Sequence, residues 1–274
     1  MKSNKLFVAA TIAPFLRCAL FFSCLLPHPA HALGFSVLVS PPRVEDRATP
    51  AQTYRNIIEI TNVSESSAHL FVRTTDWTLQ PDNGVEFSDA LSAGSCRPWV
   101  GMEAPEITIG ANAKRRYRFE VAVPANASAG ECRFAIMVEG DPERLKGDLA
   151  IPVSGRIGVV VYLTIGNAAP RLQITGHHTA VVEGRSVPVL SVHNSGNAHG
   201  RLEGFVDGAD ASGKHYAFSP STLPILPGET RDIALVPEGD EAGAPAPAIA
   251  YPVRLKGRLD WGSQQLDVDA TFAR

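Results

Sequence analysis

The chain is poor in the residues and spacings that carry out chemistry. It has no glycine-rich loop closing on Lys-Ser or Lys-Thr, no Gly-x-Ser-x-Gly elbow and no His-Glu-x-x-His run. Phosphate cradling, serine hydrolysis and zinc proteolysis therefore lack their usual scaffolds. Its four cysteines never fall in Cys-x-x-Cys spacing, which argues against thiol redox catalysis. The one adjacent histidine pair, His177-His178, is a poor metal site, because neighbours in a strand point to opposite faces. The pair is expected in a surface loop. His193 and His199 flank the turn-like Asn194-Ser195-Gly196-Asn197 and are read the same way. No enzymatic activity, metal or cofactor is expected. No window carries a helical period, and beyond the first 32 residues no apolar run is long enough to span a bilayer, so stable membrane insertion is not expected.

What is present starts with an export signal. Lys2 and Lys5 precede an apolar run from Cys18 to Leu26, followed by Ala30-His31-Ala32, a small-x-small cleavage pattern. Cleavage after Ala32 removes 32 of 274 residues and leaves 242, enough for one large or two ordinary domains. Three basic residues and no acidic ones leave with the leader, so 25 basic and 28 acidic side chains become 22 and 28, a balance of −6. That charge gives no electrostatic case for nucleic acid. Cys18 and Cys24 also leave. Cys96 and Cys132 then remain in an oxidising compartment, where a single disulfide is the default and two free thiols the alternative. A loop of that length closed by a disulfide contributes about 3–4 kcal/mol in the chain-entropy model.

The rest of the chain alternates apolar and polar residues in short runs broken by turn formers. Phe35 to Ser40, Tyr54 to Thr61, His69 to Trp77, Arg115 to Val123 and Cys132 to Val138 all read as strands. Tyr117, Phe119 and Val121 share one face of the fourth run, and Cys132, Phe134, Ile136 and Val138 one face of the fifth. Gly166-Asn167-Ala168-Ala169-Pro170 is the best domain boundary. Strand patterns resume at Leu172 to Thr175, Val187 to Asn194, Arg201 to Asp207 and Arg231 to Val236. A closing hairpin pairs Tyr251 to Trp261 with Gln265 to Phe272. Short strands with regular turn signals indicate an all-β chain of two tandem immunoglobulin-like sandwiches, over 33–165 and 171–274. Asn62-Val63-Ser64 and Asn126-Ala127-Ser128 match the glycosylation pattern, but both also fit turns. Trp77, Trp99 and Trp261 are expected in the cores, with a glycan platform as the alternative.

One stretch stands apart. Gly147 to Ile165 reads as a single long strand. Its first half alternates, with Leu149, Ile151 and Val153 on one face, and its second half, Val159 to Ile165, is continuously apolar. Pro152 cannot donate a ladder hydrogen bond, which places the first half at a sheet edge. An exposed apolar edge suits a strand whose purpose is to pair with another chain.

Several of these elements resemble the periplasmic pilus-assembly chaperones of the chaperone–usher pathway, the PapD-like family. Val39-Ser40-Pro41-Pro42-Arg43-Val44 is similar to the family's first strand with its arginine. Tyr54 to Asn62 resembles the second strand and its terminal asparagine, and Trp77 closes the third. Arg156-Ile157-Gly158-Val159 through Tyr162 resembles the end of the last strand of the first domain. The likeness covers Leu33 to about Ile165. It implies a periplasmic, ATP-independent chaperone that binds pilin-like subunits by donor-strand complementation and works with an outer-membrane usher. Leu149, Ile151 and Val153 would be the donor residues, and a free molecule could cap that edge by dimerising. The family holds the client's C-terminal carboxylate with two basic residues in the cleft between domains. Arg43 matches the first; the family's lysine falls at Gly158, with Arg156 two residues earlier on the same face. The residue at the family's corner tyrosine is Cys132. An immunoglobulin-like structural or adhesive accessory of a surface fibre, or a carbohydrate-binding module using Trp77 or Trp99, are the competing readings.

Overall fold

The structure is a computed structural model that describes residues 35–144, 152–182, 184–239 and 246–274. The leader, Leu149 and Ile151 lie outside the described residues. As the alternation predicts, the described chain is all-β: strands joined by turns, with one 3-10 turn at Arg97–Trp99. No helix among the described residues is long and apolar enough to cross a membrane.

The first sandwich holds β1 (Val37–Ser40), β2 (Arg43–Ala48), β3 (Thr53–Asn62), β4 (Ala68–Leu79), β5 (Val85–Ser88), β6 (Val100–Met102), β7 (Glu106–Ile109), β8 (Lys114–Ala122), β9 (Gly130–Gly140), β10 (Glu143–Arg144), β11 (Pro152–Val153) and β12 (Arg156–Ile165). One sheet runs β1-β3-β8-β6 and the other β2-β12-β9-β4-β5, with β7 also on β4. The opening strand divides between them: β1 pairs antiparallel with β3, then the chain crosses at Pro41-Pro42 and β2 runs parallel to β12. Between the sheets lie Ile58, Ile60, Tyr117, Phe119, Val121, Phe134, Ile136, Val138, Val159, Val161 and Leu163, all buried. Cys96 and Cys132 form a disulfide at the edge of this core, with their Cα atoms 5.5 Å apart.

The second sandwich holds β13 (Leu172–Val182), β14 (Arg185–Asn194), β15 (Val206–Ala209), β16 (His215–Pro220), β17 (Thr230–Pro237), β18 (Val253–Trp261) and β19 (Gln264–Phe272). They follow one antiparallel path, β13-β14-β17-β16-β15-β18-β19, wrapped about Phe218, Ile225, Ile233, Leu235, Val253, Leu255, Leu259 and Phe272. The hairpin at Gly262-Ser263 is as the alternation predicts.

An asparagine closes β3 and β14, one strand of each sandwich, in the same way. Asn62 Nδ2 donates to the carbonyls of Ser66, Ile109 and Gly110, while its Oδ1 accepts from the Ser64 backbone and hydroxyl. Asn194 Nδ2 donates to the carbonyls of Ala198 and Ile225, and its Oδ1 accepts from the Arg171 and Gly196 amides. Both side chains are buried and satisfied. Asn62 is therefore a turn clasp with no free amide to carry a glycan; Asn126 is exposed.

Two expectations about the strands need correction. Within the expected long strand, the described part does not run on unbroken: β11 ends at Val153 and β12 begins at Arg156. The β9–β12 ladder, Arg156 opposite Glu139, gives way to a second register in which Val153 pairs with Glu143. The step falls where Phe35 packs: a Cβ on Gly155 would stand 2.1 Å from Phe35 Cβ, and one on Gly140 2.8 Å from its ring. The ring leaves room for a side chain at neither position, and the hairpin shifts register around it. His177-His178 lie in β13 and not in a loop. The register slips between Ile174 and Gly176, which breaks the alternation that would have revealed the longer strand. His177 packs edge-on against Phe272 and His178 Nε2 lies 3.3 Å from Asp232, so the two rings do diverge.

Candidate functional site

The outward face of the β2-β12-β9-β4 sheet meets the second sandwich. Parallel pairing sets Arg43 beside Val160 and Glu45 beside Tyr162; antiparallel pairing sets Arg133 on the other side of Tyr162. Residues opposite one another share a face, so Glu45, Tyr162 and Arg133 form a row. Trp77 extends it, with its ring 5.4 Å from Tyr162 and the Arg133 guanidinium 6.0 Å away. The same alternation that buries Cys132 turns Glu131 outward to this face.

From the second sandwich come His199 and Arg201. The His199 ring lies over Tyr162 at 4.0 Å, with Nδ1 2.5 Å from Glu131 Oε2 and Nε2 3.6 Å from Glu45 Oε1. Its backbone amide also donates to Glu131. Arg201 brings Nη2 to 3.2 Å from the same Glu45 oxygen, and Arg43 Nε lies 2.5 Å from it. Glu131 is 1% exposed, with Arg133 Nη1 3.8 Å from its other oxygen. A second tie joins Arg231 to the β4–β5 turn, where Nη1 donates to Asn83 Oδ1 at 2.8 Å. Asn197 adds a bond to the Ala129 carbonyl.

The charges explain one another. The hydrogen bond to His199 is the main influence holding the Glu45 carboxyl down at about 2, aided by Arg201 and Arg43 against its partial burial. Burial disfavours the charged His199 ring, but the contacts with Glu131 and Glu45 outweigh it, so its pKa stands above the ordinary 6.5. Burial raises the Tyr162 hydroxyl. A raised histidine stabilises the folded state fully below its unfolded value and loses that contribution as pH climbs through the folded value. The tie between the sandwiches is thus expected to weaken as pH rises above about 6.5. Thermal melts should show wild type losing stability across that window relative to His199→Gln; parallel curves would refute the assignment.

The expected site residues are only partly brought together. Arg43 lies in this cluster, its guanidinium half exposed. Arg156 sits opposite Glu139, four positions before Val160, about 13 Å along the strand. Val153 is exposed in β11; Leu149 and Ile151 lie outside the described residues. At Gly158 a Cβ would meet Phe87 Cζ at 2.7 Å and Met137 Sδ at 3.0 Å. The ring of Phe87, from β5, thus fills the position where the resemblance places a lysine. Trp77 lies on this outer face and not in the core, while Trp99 packs half-buried against the first core. Glu45, Glu131, Arg201 and Phe87 were not anticipated; His199, expected in a surface loop, is instead packed against Glu131 and Tyr162, and His193 lies in β14.

No protein-family model matches the chain, and no curated protein matches it. Among solved structures it is similar to the YadV chaperone, at 11% identity and TM-score 0.47 over 86% of this chain and 100% of that one. It is also similar to the Salmonella enterica SafA pilin in complex with the SafB chaperone, at 13% and 0.46 over 86% and 97%. A third is the E. coli chaperone DraB, at 16% and 0.45 over 86% and 99%.

Proposed function

We propose that the chain is a periplasmic chaperone for pilin-like subunits, which lends its hairpin edge to a client's sheet without ATP. The observation that carries this reading is a free strand edge leading to a cation. β12 pairs with β9 along its whole length, but β2 covers its other edge only from Val160 to Ile165. Among the described residues no strand lies against the edge from Arg156 to Val159. β2 begins at Arg43, where that open lane ends. A strand added to the lane, ending with its C-terminal carboxylate at Arg43, must therefore run parallel to β12. Main-chain hydrogen bonds along the edge would give affinity, and the alternating apolar side chains of the adjoining arm would give register.

The test is Leu149→Ser, Ile151→Ser and Val153→Ser together, with a pilin-like subunit co-expressed and exported. Removing three apolar anchors is expected to weaken capture at least about a hundredfold. Undiminished capture, with the fold intact by circular dichroism, would overturn strand donation.

A further inference from the structure

Asn83-Gly84 is the chain's one Asn-Gly pair, and it lies in the turn between β4 and β5. An asparagine followed by glycine can close a ring on itself, since no side chain shields the next backbone nitrogen. Two neighbours are already placed for that chemistry. Gly84 donates its amide to Asp82 Oδ1 at 2.9 Å. Asn83 Oδ1 accepts from Arg231 Nη1 at 2.8 Å. Arg231 is 5% exposed and firmly held: Nη2 is paired with Glu229, and the Gln80 and Leu79 carbonyls accept from the same guanidinium, each at 3.4 Å. Asn83 itself is exposed, so water reaches it. Its φ of 69° is in the left-handed region that asparagine and aspartate both tolerate, so the turn accepts either residue.

We infer that this turn is a self-modification site, at which Asn83 is converted by water to aspartate or isoaspartate with release of ammonia. The Gly84 nitrogen loses its proton toward Asp82 and bonds to Asn83 Cγ, while the carbonyl electrons move onto Oδ1. A fixed arginine donor at that oxygen stabilises the developing negative charge, as in an oxyanion hole. The electrons then return to the carbonyl and the Cγ–Nδ2 bond breaks. The proton taken up by Asp82 passes through solvent to Nδ2, which leaves as ammonia. Water adds to the cyclic imide and opens it, so the sum is amide plus water giving carboxylate plus ammonia. Opening at Cγ gives aspartate and keeps the turn; opening at the main-chain carbonyl gives isoaspartate and adds a methylene to the backbone. The aspartate form puts a charged acceptor where Arg231 reaches across from the second sandwich. Charge-assisted bonds are the stronger, so the conversion tightens the tie between the sandwiches.

The experiment incubates the full mature chain at mildly alkaline pH and follows the amide-to-acid mass change by peptide mapping. Wild type should convert at Asn83 faster than at any other asparagine, and faster folded than in urea, where neither neighbour is held in place. Arg231→Ala should slow the reaction about tenfold, less than in a water-excluded oxyanion hole because the turn is wet. Arg231→Lys should fall between the two, Asp82→Ala should slow conversion several-fold, and Gly84→Ala should suppress it. Conversion that is equal or faster in urea, or that is not slowed in Arg231→Ala or Asp82→Ala, would overturn the site. The urea arm decides even where a variant fails to fold. For the consequence, Asn83→Asp should raise the thermal midpoint of the full chain by about 2–4 °C, and adding Arg231→Ala should erase that gain. No gain would overturn the effect on the tie. None of these outcomes depends on a client.

Discussion

Asn194→Asp is expected to cost about 4 kcal/mol of stability, more than Asn194→Ala at about 3 kcal/mol, and the corresponding changes at Asn62 should behave alike. Alanine deletes two donated and two accepted bonds at Asn194, leaving buried main-chain groups unpaired. Aspartate keeps the accepting side but points a second oxygen at the carbonyls of Ala198 and Ile225, which need a donor. The buried carboxyl therefore favours its protonated form, and its folded pKa rises above the unfolded value near 3.9. A raised carboxyl is penalised fully above its folded pKa, and the penalty disappears below the unfolded one. The aspartate variants should thus recover stability relative to alanine as pH falls toward 4. Urea denaturation at pH 7 and pH 4 checks both the order and its change; an aspartate deficit independent of pH would show that the clasp does not need the amide donor.

The fold was legible because strands with one buried face write their period into the sequence. Tyr117, Phe119 and Val121, or Val253, Leu255 and Leu259, could be placed without any knowledge of their partners. The functional face was much less legible, because its burial comes from the other sandwich. Glu131 and Arg133 flank the core-facing Cys132 and look like exposed charges on a strand; only the approach of His199, 68 residues later, makes Glu131 a buried carboxylate. Glu45 follows Arg43 by two positions in a strand, a spacing that already puts both on one face, and this was the available signal. Nothing local pointed to Phe87. Its segment lacks a period, and its ring crosses to a strand some seventy residues away. The matching Asn62 and Asn194 clasps escaped for a different reason: the flanking sequences share little beyond the asparagine, since the bonds it makes are to backbone groups that any residue supplies.

Phe87 and Gly158 make the most direct test of how this cleft departs from the family it resembles. Gly158→Lys alone is expected to cost about 2–3 kcal/mol, because its Cβ would stand 2.7 Å from Phe87 Cζ and 3.0 Å from Met137 Sδ, and the ring must be displaced. Phe87→Ala alone should cost about 1–2 kcal/mol, as a half-buried ring leaves Met137 uncovered. The two changes should not add: with the ring gone the lysine has room, and the double variant should be more stable than Gly158→Lys alone. Its ammonium would then rise from the same face of β12 as the residue opposite Arg43, two positions along, about 7 Å away. That adds a cation beside the open lane. The double variant should bind a decapeptide of alternating valine and threonine with a free C-terminal carboxylate about tenfold more tightly than wild type, with the same peptide as its C-terminal amide unaffected. Calorimetry with both peptides, and denaturation of all four proteins, complete the cycle. Additive stability losses would show that Phe87 is not what excludes a side chain at Gly158. A stable double variant with unchanged acid affinity would show that the lane does not deliver a carboxylate to this part of the cleft.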